Sequence, residues 1–214
     1  LINLGIDKEK IITTACPSIL FNKESNASLE KIYSNEDIDG QKEKVGLIIS
    51  GWNMPTPPFN KVPRSEKEID KFLPIIDYFI KNNLQVILLS HSNRIDKKGN
   101  ISEGPDSLLC KQLISEYQKK FKFSMNLKMV KNIYNPETIR KIIGDFDFLI
   151  SGRLHAAISG LSQNIPTVII DYGFEPKGHK LLGIAELFEI EEYFCDPNDP
   201  NDMYQKIYKA WENR

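Results

Sequence analysis

Residues 147–172 read DFLISGRLHAAISGLSQNIPTVIIDY. The apolar run Phe146–Ser151 and the run Thr167–Tyr172 (TVIIDY) each have the length and continuity of a strand buried on both faces. Leu154–Gln163 between them reads as a helix. Strand, helix, strand in so short a span is the unit of a parallel sheet, in which the crossover lies over one face.

The same alternation continues on both sides. Upstream, Val45–Ser50 (VGLIIS) and Leu84–Ser90 (LQVILLS) read as strands, and Leu127–Val130 as a shorter one. Ser65-Glu66-Lys67-Glu68 forms a capping box for a helix through about Asn82, which Pro74 should kink or interrupt. Asp106–Phe121 reads as an amphipathic helix, and Asn135-Pro136 supplies a cap and first-turn proline for a helix ending near Gly144. Downstream, helices are expected near Lys180–Phe188 and Pro200–Glu212. The fold class is therefore α/β: a doubly wound, mostly parallel, Rossmann-like sheet with helices on both faces.

The ends differ. Residues 1–22 carry a short strand-like Lys10–Ala15 and look like an element cut from a preceding domain, since one strand buries no core. Residues 23–44 are polar and read as a linker or surface loop. Residues 45–200 form the Rossmann-like domain, and 201–214 the C-terminal helix.

The net charge of -1 argues against a nucleic-acid partner, which calls for a basic surface. Cys16, Cys110 and Cys195 are far apart without CxxC spacing, so neither a disulfide framework nor a zinc site is expected. Cys16, in an apolar context with no nearby His, reads as a buried small residue. The expected setting is the reducing cytoplasm, and no apolar run approaches the ~20 residues of a membrane span. Only five of 28 basic residues are Arg, so an Arg in apolar surroundings asks for a reason.

Ligands of open α/β sheets bind outside the carboxyl ends of the strands. The residues that follow these ends are Gly51-Trp52-Asn53, His91-Ser92-Asn93-Arg94, Gly152-Arg153-Leu154-His155 and Gly173-Phe174-Glu175-Pro176-Lys177. Two of three histidines and two of five arginines thus fall on one edge. Ser151-Gly152-Arg153-Leu154-His155 is the sharpest element. Gly152 permits a tight turn and close approach of a ligand. The helix behind it offers free N–H groups, and Arg153 a two-pronged bond, to a phosphate or carboxylate. His155 or His91 could deliver a proton near neutral pH. The competing reading pairs Arg153 with Asp147 or Asp171 and leaves His155 as a helix cap. Arg94 reads as part of a solvated turn, whereas Lys177 and His179 sit on a loop able to close over an anion. No GxGxxG, P-loop or GxSxG motif is present, and no His/Asp/Glu spacing suggests a metal.

With these residues in place, the chain resembles the polysaccharide pyruvyl transferase family. The resemblance rests on Asn3-Leu-Gly-Ile6 with Thr14-Ala-Cys-Pro-Ser18 (Ala15 standing where the family has Gly), on Ser90-His91, and above all on Asp147–Tyr172 with Pro176-Lys177 and Leu182-Gly183. It implies two Rossmann-like domains facing across a cleft, as in GT-B glycosyltransferases, with this chain supplying the C-terminal half. It implies phosphoenolpyruvate as donor substrate and no cofactor. The acceptor would be a sugar of a cell-surface polysaccharide or its lipid-linked precursor, and a lipid-linked acceptor would bring the protein to a membrane surface. Site residues implied are His155 and His91 as catalytic groups, with Arg153, Leu154, Gly152, Ser151, Lys177 and Asn53 binding substrate. Much of the acceptor site would lie in the other domain. The rival readings are a GT-B glycosyltransferase holding a sugar nucleotide, with Glu175 on the ribose, and a non-catalytic scaffold of polysaccharide assembly.

Overall fold

The computed structural model describes residues 2–12, 14–21, 25–50, 69–171 and 180–214. Strands β1 (Lys44–Ile48), β2 (Gln85–Leu88), β5 (Leu127–Met129), β6 (Phe148–Ser151), β7 (Thr167–Ile170) and β8 (Phe194–Cys195) form one sheet in the order β5-β2-β1-β6-β7-β8. Every pairing is parallel, with Val45 opposite both Val86 and Phe148 at the centre. The chain runs outward from β1 to β2 and β5, then returns to lay β6 on the other side of β1. That reversal opens a crevice at the carboxyl ends of β1 and β6.

Strand side chains alternate between two cores. Val45, Leu47, Phe148 and Ile150 point to the face covered by α2 (Leu73–Lys81), α3 (Pro105–Phe121) and α7 (Pro200–Glu212). There Trp211 of α7 packs edge-on against Phe79 and Phe148, with centroids 5.2 and 5.5 Å away. The C-terminal helix is thus part of this domain's core. Ile48, Ile87 and Leu149 point to the other face, with α1 (Leu29–Glu36), α4 (Pro136–Ile143) and Ala156 of α5 (Leu154–Leu161). The opposite side of α5 and α6 (Lys180–Leu187) share a third cluster, on which Cys16 and Ile19 settle.

Three expectations are corrected. The stretch read as a linker, 23–44, contains α1, capped by Ser28 and burying Ile32, Tyr33 and Glu36. Lys10–Ala15 forms no strand among its described residues, having no partner; a 3-10 turn occupies Lys8–Lys10. The turn around Arg94 is a hairpin, β3 (Asn93–Ile95) with antiparallel β4 (Ile101–Glu103), exposed throughout. Pro74 interrupts the helix as expected: Ile69 and Asp70 are helical, Lys71 and Phe72 form a turn, and α2 starts afresh at Leu73 with Pro74 in its first turn. The capping box at Ser65–Glu68 lies outside the described residues. Among those described, no helix is long and apolar enough to cross a membrane.

Candidate active site

β6 delivers Ser151, Gly152 and Arg153 to the crevice. Gly152 N–H donates to the Ile48 carbonyl at 2.8 Å, so the residue prolongs the β1–β6 ladder. The bend expected there begins at Gly152, without a positive φ: among the described glycines only Gly5 and Gly99 have one. The reversal comes one residue later, at Arg153, the extended N-cap of α5 (φ -119°, ψ 124°). Ser151 Oγ ties this corner by donating to the Arg153 carbonyl at 3.0 Å and accepting from Arg153 N–H at 3.2 Å. No side chain caps α5, so its first-turn N–H groups and positive dipole end face the crevice.

Arg153 pairs with neither Asp147 nor Asp171. Asp147 accepts from the Lys44 backbone at 2.7 Å, and the Asp171 N–H bonds the Cys195 carbonyl at 2.8 Å. Instead, Asp106 receives both Arg153 Nε (3.0 Å) and Nη2 (2.5 Å), and Nη2 also reaches Ser92 Oγ at 3.3 Å. Asp106 is wholly buried and the Arg153 side chain is 21% exposed. The sequence offered little sign of this partner: Gly104-Pro105-Asp106 reads only as a helix start. Gly104 is a silent contributor, because a Cβ there would sit 2.0 Å from the Ser92 carbonyl oxygen. Only glycine lets the start of α3 lie against the Ser92 backbone and bring Asp106 under the guanidinium.

The two histidines converge as expected but are not equivalent. His91 is partly buried after β2, and loss of hydration pushes its pKa down to about 4, with Asp106 opposing and Arg153 and His155 reinforcing the shift. At pH 7 it is a neutral imidazole. His155 stands exposed in the first turn of α5. Asn53, Lys177, His179 and Glu175 lie outside the described residues.

Residues 1–173 match the model of the family described as polysaccharide pyruvyl transferase. The chain belongs to that family. No curated protein matches it. Among solved structures it is similar to "the glycosyl transferase family 9 from Veillonella parvula DSM 2008", at 13% identity and a TM-score of 0.47. That match covers 86% of this chain and 49% of the other, so the family member spans about half that protein's length.

Beside Arg153 lies a cavity of about 340 Å³ that His91 and His155 both line. Its other walls come from the β5–α4 connection (Val130 to Tyr134), the α4 residues Ile139 and Arg140, and Ser18 and Phe21 of the N-terminal segment. Glu36 of α1 holds that connection. Although nearly inaccessible, its carboxylate accepts Lys131 N–H at 2.7 Å, Asn132 N–H at 3.1 Å, Asn132 Nδ2 at 2.8 Å and Tyr134 O–H at 2.8 Å. Burial alone would raise its pKa, but those four bonds outweigh it and leave the pKa below the usual carboxylate value.

Proposed function

We propose that the protein takes the pyruvyl group of phosphoenolpyruvate and forms a pyruvate ketal on a sugar of a cell-surface polysaccharide or its lipid-linked precursor. One observation carries the reading: Arg153, fixed by a buried carboxylate at the uncapped N-terminus of α5, with His155 in the first turn of the same helix. Asp106 holds Nε and Nη2, and among the described residues no partner meets Nη1, which is left to bond a donor carboxylate or phosphate. Family membership supplies the rest of the inference.

The chemistry needs a proton at the methylene carbon C3 of phosphoenolpyruvate, leaving a cationic centre at C2. A sugar hydroxyl adds at C2 and loses its proton. A second hydroxyl then attacks C2 as the C2–O bond to phosphate breaks, its proton passing to the departing phosphate, and the products are the ketal and inorganic phosphate. His155, exposed to the crevice, is the proton donor in this scheme. His91, held neutral by its surroundings, accepts a hydroxyl proton or bonds the leaving phosphate. The helix terminus and Arg153 stabilise charge gathering on phosphate as it departs. Lys177 and Asn53 complete the donor's surroundings in the same proposal, and the acceptor's remaining contacts fall to a second domain.

Calorimetric titration of phosphoenolpyruvate into the chain, with Arg153→Gln beside it and UDP as the competing ligand, tests the reading. Binding lost in Arg153→Gln supports it. UDP binding without phosphoenolpyruvate binding replaces it with a sugar-nucleotide glycosyltransferase.

A further inference from the structure

Arg140 lines the cavity from α4 and is partly shielded from water, which pushes its pKa down. Its Nη1 donates to the neutral Ser162 hydroxyl at 3.0 Å, and among the described residues no carboxylate meets it. Arg153, by contrast, is neutralised by Asp106. Lys131 stands on the same cavity wall with no ion pair among the described residues; Asp37, within Coulombic reach, is bonded to Lys128. The cavity's carboxylate, Glu103, is already paired with Lys111 at 2.6 Å. Among the described lining residues, Arg140 and Lys131 thus carry positive charge that no ion pair offsets, while the Glu36 carboxylate behind the wall is taken up by four hydrogen bonds. A guanidinium partly withdrawn from water, with no carboxylate on it among the described residues, is suited to receive a ligand's anion.

The walls also define what carries that charge. Val130, Ile133, Tyr134 and Ile139 give apolar and aromatic surface, while Asn93 and Asn132 add amide groups. An aromatic face with nearby amides suits a sugar ring, and about 340 Å³ accommodates a small sugar. Glu36 makes this a built wall, since its four bonds fix residues 131–134 in place.

We infer that the cavity is an acceptor subsite for an anionic sugar, with Arg140 and Lys131 receiving its phosphate or carboxylate. Its role as acceptor subsite rests on the pyruvyl transfer proposed above; its ligand chemistry stands on the cavity alone. Both histidines then lie between donor and acceptor, lining the cavity while sitting beside Arg153.

The experiment titrates α-D-glucose 1-phosphate, D-glucuronate and methyl α-D-glucopyranoside into the chain, with and without saturating phosphoenolpyruvate. The parent is compared with Arg140→Gln, Lys131→Gln and Arg153→Gln. Expected is binding of at least one anionic sugar, at least tenfold tighter than the neutral glycoside. It should fall at least tenfold in Arg140→Gln, fall severalfold in Lys131→Gln, and survive both phosphoenolpyruvate and Arg153→Gln. The better of the two anionic ligands tells phosphate from carboxylate. Lys131 is exposed, so its variant tests the site even where Arg140→Gln fails to fold. Equal binding of neutral and anionic sugars, no sugar binding at all, or loss of binding in Arg153→Gln with competition by phosphoenolpyruvate would overturn the subsite. Phosphoenolpyruvate alone, titrated into the same variants, judges the donor reading separately.

Discussion

Asp106→Asn removes one charge from the base of the site and changes little in volume. In the parent, both carboxylate oxygens are occupied by Arg153, at 3.0 and 2.5 Å, in a spot where Asp106 has no exposure at all. Asparagine keeps one acceptor oxygen but turns an NH₂ group toward a guanidinium N–H. One charged hydrogen bond is lost, a donor meets a donor, and a mostly buried cation loses its counter-ion. Breaking a buried pair from one side costs about 3–5 kcal/mol. The 21% exposure of Arg153 lets water recover part of this, so about 3 kcal/mol is expected. For a chain of this size that corresponds to a fall of roughly 6–12 °C in Tm. Thermal and urea unfolding measure it, and the double variant Asp106→Asn with Arg153→Gln should cost less than the two single losses summed. If Asp106→Asn melts within 2 °C of the parent (roughly 1 kcal/mol or less), or if the losses simply add, the pair does not hold the site. On the proposed reading the variant also weakens phosphoenolpyruvate about tenfold, because a tilted guanidinium no longer offers Nη1 in place.

Three further outcomes are expected. His91 has a folded pKa of about 4 against 6.5 unfolded, so the unfolded chain binds the extra proton first. This contribution is whole above pH 6.5, declines as pH falls, and is gone near pH 4. It amounts to about 3 kcal/mol at most, and urea melts at pH 7.5, 6 and 5 should show a slope that His91→Gln lacks. Glu36→Gln turns an NH₂ group toward donors of the 131–134 connection and should cost about 1–3 kcal/mol, with faster amide exchange at Lys131 and Asn132; unchanged exchange would show that the wall stands without it. Gly104→Ala drives a methyl to 2.0 Å from the Ser92 carbonyl and should cost about 1–3 kcal/mol with loss of Arg153 order, read by unfolding and by phosphoenolpyruvate affinity together; a neutral effect on both would free Asp106 of that constraint.

The sheet was legible because its strands are buried on both faces and so read as continuous apolar runs: β1, β2, β6 and β7 are buried at every position. What escaped notice lacks that signature. β8 has two residues, and the β3–β4 hairpin is exposed at every position. α1 is polar apart from the few side chains it buries. Arg153, His91 and His155 were legible because the carboxyl edge of a parallel sheet is fixed by topology. Their partners were not. Asp106 lies 47 residues from Arg153, and Glu36 lies 95 from Lys131, so only the packed fold brings them together.

Arg153, at this edge, and Arg140, on the cavity wall, are held in different ways. Arg153 has its counter-charge inside the protein, and that pairing trades strength of attraction for fixed direction: Nε and Nη2 are committed, so a ligand meets a guanidinium already oriented. Among the described residues, Arg140 meets a serine hydroxyl and no carboxylate, which leaves its charge for whatever enters the cavity. A donor that reacts gains more from orientation, because its atoms must line up with a proton and a nucleophile. In the same proposal an acceptor only has to be held with its hydroxyls near C2, which a charge on the cavity wall would do while leaving the reacting end to the histidines. On the proposed reading, this asymmetry between Arg153 at the N-terminus of α5 and Arg140 on the cavity wall suits an enzyme joining two different substrates.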